Sequence, residues 1–135
     1  MNIAEAAHAS GLTSKTIRYY EDIGLVAPQR GLNGYRHFSP ADVHRLRFLS
    51  RARRLDFSLQ DCRALLLLNE DTSRSSADVR EIAVRNLAQV DERLADLSQL
   101  RTALQQLVQS CAGDGQPDCS ILDALAGDCT VAGRA

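Results

Sequence analysis

The sequence predicts a mainly α-helical protein in three parts: a helical module over residues 1–70, a single long helix over 76–109, and a loop with a small helix and tail over 110–135. Helix caps and 3.6-residue apolar periodicity recur along most of the chain. The period shortens toward two residues only around Asn33-Gly34, which is a strong signal for a β-hairpin turn. Residues 76–109 contain neither glycine nor proline, and this predicts one uninterrupted helix.

Composition and charge narrow the class of protein. No run approaches the roughly 20 apolar residues of a membrane span, and the N-terminus enters a helix pattern without signal-peptide features, so we expect a cytoplasmic protein. Residues 1–60 hold nine Lys and Arg against five Asp and Glu, whereas residues 61–135 hold seven against twelve. Five arginines crowd into residues 45–54. This is typical of a polyanion-binding surface and, on charge alone, equally of a solvated helix face.

The first two helices predict a helix-turn-helix. Asn2 and Glu5 have the spacing of a capping box, and Thr13 is placed to cap a second helix after a short glycine-containing turn. This second helix turns Lys15 and Arg18 to one polar face. Such a face enters the DNA major groove in helix-turn-helix proteins, where Lys and Arg reach guanine edges or phosphates. Many helical pairs that do not bind DNA share this spacing.

A basic hairpin follows the second helix. Residues 25–26 and 35–38 predict two short strands, with Asn33-Gly34 in the turn. A hairpin in this place is a wing, and its polar side chains are suited to contact DNA phosphates. The alternative for Tyr35 and Phe38 is packing against the helices, and for Phe38 we prefer it.

Two further helices complete the first module. Ser39-Pro40 predicts the start of a third helix that runs to about Arg54, and Ser58 is placed to cap a fourth. Cys62 lies on the apolar face of the fourth helix and is most simply a buried core thiol. Residues 69–75 contain no apolar side chain and predict a linker.

Several motifs of this module occur together, and their combination resembles the MerR family of transcriptional regulators. The motifs are Asn2-Ile3 through Thr13, Thr16 through Glu21, Gly24-Leu25-Val26 and Asn33-Gly34-Tyr35-Arg36. The resemblance implies a winged helix-turn-helix dimer that binds a promoter with an overlong spacer and distorts the DNA for RNA polymerase when its effector arrives. It also implies DNA contacts from six residues, namely Lys15, Arg18, Tyr19, Tyr35, Arg36 and Arg53. Asp56 departs from the glycine of many relatives.

The long helix carries an apolar stripe and spans roughly 50 Å at 1.5 Å per residue. Steps of three and four residues join Leu87, Val90, Leu94, Leu97, Leu104 and Val108 once Arg101 is counted as an interruption between Leu97 and Leu104. This is a heptad seam, which needs a partner helix to cover it. We therefore expect a homodimeric coiled coil, and the resemblance implies that it is antiparallel. Folding of the stripe onto residues 40–68 is the alternative, but that surface is small.

Two cysteines delimit the loop after the long helix. Cys111 and Cys119 enclose a segment of Gly, Pro and Asp, and a short helix is predicted over residues 120–125. Structural zinc requires four nitrogen or sulfur ligands, whereas two thiolates suit a soft +1 ion such as Cu(I), Ag(I) or Au(I). A Cys111–Cys119 disulfide acting as a redox sensor is the alternative.

The C-terminal part extends the resemblance to the CueR-like branch of the family, which senses Cu(I), Ag(I) and Au(I). In members that sense divalent metals, a cysteine at the start of the long helix supplies a third ligand from the other subunit. Ser76 occupies that position here, so the resemblance implies a selectivity role for it, although it is also suited to cap the helix. Ser120 departs from the usual proline, and we expect this change to loosen the loop. Cys129 stands in place of a Cys-Cys pair.

These observations predict a metal-responsive transcriptional activator of efflux or detoxification genes, with Cu(I), Ag(I) or Au(I) as its effector. Its expected partners are promoter DNA, RNA polymerase and a second copy of the chain, with no membrane. A copper buffer or chaperone without a DNA role is disfavoured by the wing and by Arg18. An enzyme is not expected, because His8, His37 and His44 are scattered and no nucleophile constellation is present.

Overall fold

The computed structural model describes residues 1–127, so Cys129 lies outside the described residues. They divide into two compact units, Met1–Asn86 and the residues from Leu87 onward. The described residues form six helices and two short strands: α1 (Ile3–Ser10), α2 (Ser14–Asp22), β1 (Gln29–Arg30), β2 (Arg36–His37), α3 (Pro40–Arg54), α4 (Leu59–Glu70), α5 (Ser76–Ser110) and α6 (Ser120–Ala126). The mainly α-helical fold class is confirmed. No helix in this part of the chain is long and apolar enough to cross a membrane.

Side-chain caps determine where the helices of the first unit begin. The Asn2 side chain accepts the Glu5 backbone N–H at 2.8 Å, and the Glu5 carboxylate accepts the Asn2 N–H at 2.9 Å, which completes the predicted capping box. Thr13, Ser39 and Ser58 each accept the N–H three residues later at 3.1 Å. These bonds satisfy donors that a helix N-terminus leaves without partners, so the predicted helix starts are confirmed.

The prediction of a strand at residues 25–26 was wrong. Leu25 and Val26 are both 2% exposed, and they lie in the core after the turn at Gly24 instead of alternating between a buried and an exposed face. The wing strands are β1 and β2, which pair antiparallel with Arg30 opposite Arg36. The turn at Asn33-Gly34 lies between them, with Gly34 at a φ of 80°.

The core of the first unit lies where α1 to α4 meet. Phe38 is 1% exposed and packs there as predicted, while Tyr35 is 75% exposed. Cys62 is fully buried, and this burial raises the pKa of its thiol. Cys62 is therefore the core thiol that the sequence indicated. Other buried members of the cluster are Ala6, Ile17, Tyr20, Leu25, Val26, Val43, Leu46, Leu49, Ala52 and Leu66.

The segment predicted as a linker is partly helical. Asn69 and Glu70 belong to α4, and the Glu70 carboxylate forms an ion pair with Arg45 of α3 at 3.2 Å. This contact with another helix favours the extra turn, which polarity alone did not reveal. After it, the Asp71 carboxylate accepts the Ser73 hydroxyl at 2.7 Å and the Ser73 N–H at 2.9 Å. Both hydrogen bonds lower the pKa of Asp71.

Within the first unit, a buried amide joins the beginning of α5 to the end of α3. Asn86 is 6% exposed, and its Nδ2 donates to the Leu55 carbonyl oxygen at 2.8 Å. Leu55 is the C-cap of α3, so the bond satisfies an acceptor that a helix end leaves open. Ile82, one turn earlier, is 7% exposed.

We expect Asn86→Ala to lower the free energy of unfolding by about 1–3 kcal/mol, because the Leu55 carbonyl loses its partner. Urea denaturation followed by circular dichroism measures this change. Gln89→Ala, an exposed amide on the same helix, is the matched control and is expected to stay within about 0.5 kcal/mol. Equal losses in the two variants would contradict an anchoring role.

Candidate functional site

The second helix presents a polar face outward and an apolar face inward. Lys15, Arg18 and Tyr19 are exposed, whereas Ile17 is fully buried and Tyr20 is 4% exposed. This follows from the 3.6-residue period of the helix, which places residues three and four apart on one side. The three side chains for which the family resemblance implied DNA contacts from this helix are therefore exposed on one side of α2.

The structure brings the second helix and the wing together in a basic cleft. The cleft has a volume of about 490 Å³. Arg18 contributes from α2, and Tyr35 and Arg36 contribute from the wing; Asn2, Ile3, Arg30 and Gly34 complete the lining. Three arginines in one concave surface produce a field that attracts a polyanion. Sequence reasoning assigned Arg18, Tyr35 and Arg36 separately, and the fold places them side by side.

An acid that sequence reasoning did not assign holds two arginines of this cleft. The Glu21 carboxylate accepts the Arg36 Nε–H at 2.5 Å and lies 3.4 Å from Arg30 Nη2. Arg30 also donates to the Gly34 carbonyl at 3.0 Å. Glu21 was part of the family motif, but its partners follow 9 and 15 residues later. Only the fold reveals that it meets them.

Arg53, the remaining predicted DNA contact, is engaged within its own unit. Its Nη1 donates to the Phe57 carbonyl oxygen at 2.6 Å. Burial raises the pKa of the Tyr20 hydroxyl, and Arg53 opposes this rise by its charge and by a hydrogen bond. Arg53 thus stabilises the turn after α3, and its DNA contact stays a prediction.

The loop between Cys111 and Cys119, here called the thiol loop, has its two ends close together, and these ends form its neck. Cys111 Sγ and Cys119 Sγ lie 3.7 Å apart, and both residues are half-buried. Beside them the Ser110 and Ser120 hydroxyl oxygens are 2.8 Å apart, within hydrogen-bond distance. This contact joins the two ends of the loop through a hydroxyl that proline lacks, and the loosening expected of Ser120 stays a prediction.

The environment of Cys119 favours its thiolate. Cys119 is the N-cap residue of α6, and although its sulfur makes no capping hydrogen bond of standard geometry, the backbone N–H of Leu122 lowers its pKa most strongly. The neighbouring Cys111 thiol and the N–H of Ile121 act in the same direction, and Asp123 opposes them. A deprotonated sulfur is the form that binds a metal. Within residues 1–127 no group of three or more His, Cys, Asp or Glu has the spacing of a metal site.

The apolar stripe of α5 in the second unit is exposed. Leu97, Leu104 and Val108 are 60%, 53% and 65% exposed. They line a groove of about 560 Å³ on this helix. Leu87, Leu94 and Leu100 continue the stripe with 59%, 60% and 55% exposure. Such a long uncovered stripe is typical of an interface between helices of two chains.

Ser76 is the exposed first residue of α5. The preceding residue performs the capping, because the Ser75 hydroxyl accepts the Ala77 N–H at 3.2 Å. The alternative interpretation of Ser76 as the helix cap therefore loses its support.

Comparison with known proteins identifies the family. The model described as MerR HTH family regulatory protein matches residues 1–68, and the model described as MerR, DNA binding, matches residues 43–107. The chain is 56% identical over 125 residues to the HTH-type transcriptional regulator HmrR of Rhizobium leguminosarum bv. viciae, covering 93% of this chain and 97% of the relative. It is 41% identical over 130 residues to the HTH-type transcriptional regulator CueR of Salmonella typhimurium, with 96% and 94% covered.

Among solved structures, the transcription regulator PbrR691 from Ralstonia metallidurans CH34, in complex with lead(II), superimposes with a TM-score of 0.77. It is 29% identical, and the match covers 93% of this chain and 98% of that one. These relatives are transcription regulators and not enzymes. The chain belongs to the MerR family of helix-turn-helix transcriptional regulators.

Proposed function

We propose that this regulator is a homodimeric transcriptional activator that responds to Cu(I), Ag(I) or Au(I) and switches on metal efflux or detoxification genes by distorting promoter DNA. The observation that carries the proposal is the pair of half-buried thiols, Cys111 and Cys119, whose sulfurs lie 3.7 Å apart at the neck of one loop. The similarity to a transcription regulator solved in complex with lead(II) supports a metal effector.

The donor set fits a soft +1 ion. Two metal–thiolate bonds of about 2.3 Å each, the length typical of zinc, placed in line span about 4.6 Å. The two sulfurs at 3.7 Å therefore need to separate by only roughly one ångström to admit an ion. Thiolates select soft ions, and a pair of them without further ligands suits two-coordination.

The metal ion is the signal, and the protein's own residues bind it and pass the response on. Cys111 and Cys119 would hold the ion through their thiolates, and the ion would supply the attraction that fixes the two ends of the loop together. Cys111 directly follows α5 and Cys119 directly precedes α6, so a change at the neck moves α6 relative to the end of α5. We propose that α6 then packs against the dimer helix, since its Leu122 and Leu125 are 63% and 77% exposed. This contact biases the DNA-binding modules toward the activating arrangement.

The proposed partners follow from the two exposed surfaces. The surface around the basic cleft binds double-stranded promoter DNA, and the distorted promoter is then used by RNA polymerase. Its contacts are Arg18, Tyr35 and Arg36 of the cleft, together with Lys15, Tyr19 and Arg53 outside it. The stripe of α5 pairs with the same stripe of a second copy. A two-fold dimer matches a promoter with two half-sites.

A reporter titration tests the function directly. Cells that carry the regulator and its promoter fused to a reporter are exposed in parallel to copper, silver, gold, mercury and zinc salts. We expect induction by copper, silver and gold, because two thiolates select soft +1 ions. Induction by zinc alone, or by none of the five metals, would contradict the proposal.

We expect Ser76→Cys to broaden the response toward +2 ions. A thiolate at this position offers the third ligand that a divalent ion needs, whereas a hydroxyl is a poor ligand. The same titration measures the change, and Ser75→Cys, which moves the thiol to the neighbouring residue, is the matched control. An unchanged +1 profile in Ser76→Cys would show that Ser76 does not determine selectivity.

We expect Ser120→Ala to weaken Cu(I) binding about 2–10-fold, because the loop loses the hydrogen bond that holds its neck closed. Competition with a chromophoric Cu(I) chelator measures the affinity. Ser98→Ala, which removes an exposed hydroxyl of α5, is expected to bind Cu(I) as the unmodified protein does. A Ser120→Ala variant with full affinity would show that the hydroxyl pair does not preorganise the thiols.

The same sulfur separation favours a second candidate, a thiol redox regulator. Two thiols 3.7 Å apart need a small approach to form a disulfide, and with one peroxide they would yield one disulfide and two waters. Activation by peroxide in the presence of a Cu(I) chelator, at the level reached with copper, would favour this function over metal sensing.

A further inference from the structure

Glu21 places a negative charge against two arginines that line the basic cleft, Arg30 and Arg36. Its side chain is 19% exposed, and it contacts both wing strands from α2, through Arg30 of β1 and Arg36 of β2. A carboxylate in a surface that binds phosphates opposes the binding by charge repulsion. Because Glu21 weakens the attraction for phosphates, we expect it to have another role in DNA binding.

The geometry of the wing indicates that role. Arg30 and Arg36 lie directly opposite each other on the paired strands, and like charges in this position destabilise a two-stranded sheet. Glu21 lies against both guanidinium groups, at 3.4 Å from Arg30 and 2.5 Å from Arg36. It therefore neutralises the repulsion and fixes both arginines relative to α2.

We propose that Glu21 is a positioning residue that sets the wing arginines in one register with the second helix, and thereby increases discrimination between specific and non-specific DNA. Phosphate contacts carry no sequence information themselves, but they determine where the helix lies in the groove. A wing held rigidly to the helix restricts the protein to docking in which both elements fit the duplex. A wing that is not held to the helix can contact phosphates of a duplex of any sequence, so it does not restrict binding to the specific site.

The expected result of Glu21→Gln has two opposite parts. Affinity for non-specific DNA rises, because the negative charge beside Arg30 and Arg36 is removed. Affinity for the specific duplex falls, because the wing loses its register. We expect the specificity ratio to fall about tenfold. A residue that acted by charge alone would raise both affinities and leave the ratio unchanged.

Fluorescence anisotropy with the full-length protein in metal-free buffer measures the ratio at several salt concentrations. The specific probe is the tightest duplex that the protein selects from a randomised library, and the non-specific probe is the same duplex with its base pairs shuffled. Asp22→Asn makes the same charge change on the next residue, which is exposed and forms no ion pair among residues 1–127. We expect it to preserve the specificity ratio. Equal ratios for Glu21→Gln and Asp22→Asn would overturn the proposal.

Two further measurements keep the test decisive if Glu21→Gln folds poorly. Glu21→Asp keeps the charge but withdraws the carboxylate by one methylene, so we expect a smaller loss of the ratio in a folded protein. In the unmodified protein, the Arg36 Nε–H signal in nuclear magnetic resonance is expected to exchange slowly with water and to lose this protection in Glu21→Asp. An unchanged ratio together with unchanged protection would overturn the proposal.

Discussion

Replacing either Cys111 or Cys119 by serine is expected to abolish metal-induced transcription and to leave promoter binding unchanged. Each substitution leaves one thiolate, and a hydroxyl does not replace the other for a soft +1 ion. The loss of Cu(I) affinity should exceed the roughly 10–100-fold that changes around a metal ligand cause. DNA binding persists because both residues lie in the second unit, whereas the basic cleft lies in the first. Reporter assays and gel shifts with the same promoter measure the two properties.

Cys129→Ser is the matched control for these variants, since it removes a thiol of the C-terminal tail and keeps the loop pair. We expect it to retain induction. Induction retained in both Cys111→Ser and Cys119→Ser would contradict the two-thiolate site. Loss of promoter binding in either variant would show that the loop supports the DNA-binding unit in another way.

The combined substitution Leu97→Glu with Leu104→Glu is expected to convert the protein to a monomer and to remove tight promoter binding. Both leucines are more than half exposed in the single chain, and their burial in a dimer contributes roughly 3–6 kcal/mol per pair of side chains. Losing it weakens association by about a hundredfold or more, before the penalty for burying two carboxylates from each chain is added. Sedimentation should then give a mass of 14.8 kDa in place of twice that value.

Gln99→Glu with Gln106→Glu provides the control for this substitution. It adds the same two charges two residues beyond each leucine, on the opposite side of α5. We expect this variant to remain dimeric and to bind the promoter. A dimer that survives the leucine substitutions would show that the stripe is not the interface.

Local signals determined much of the fold. The caps at Asn2, Thr13, Ser39 and Ser58 predicted four helix starts, because each side chain satisfies backbone donors within three residues. The first wing strand was misplaced at residues 25–26, since two adjacent apolar residues are compatible with a strand and with a buried turn. The second, predicted over residues 35–38, contains β2. Contacts between distant residues, such as Arg45 with Glu70, carry no local pattern and extended α4 beyond its predicted end.

In the candidate site, too, local patterns were predictable from the sequence, whereas contacts between distant residues were not. Cys111 and Cys119 were predictable as a pair because the glycines and the proline between them return the chain on itself. The hydroxyl contact of Ser110 with Ser120 depends on that closure, and it was found only in the structure. Glu21 stood in a recognisable motif, but its position against the wing arginines depends on tertiary packing.

X-ray absorption at the copper edge of the Cu(I)-loaded protein tests the central claim most directly. The account predicts one copper per chain with two sulfur neighbours and no nitrogen, supplied by Cys111 and Cys119. Three or more ligands around the copper, or a nitrogen among them, would contradict it.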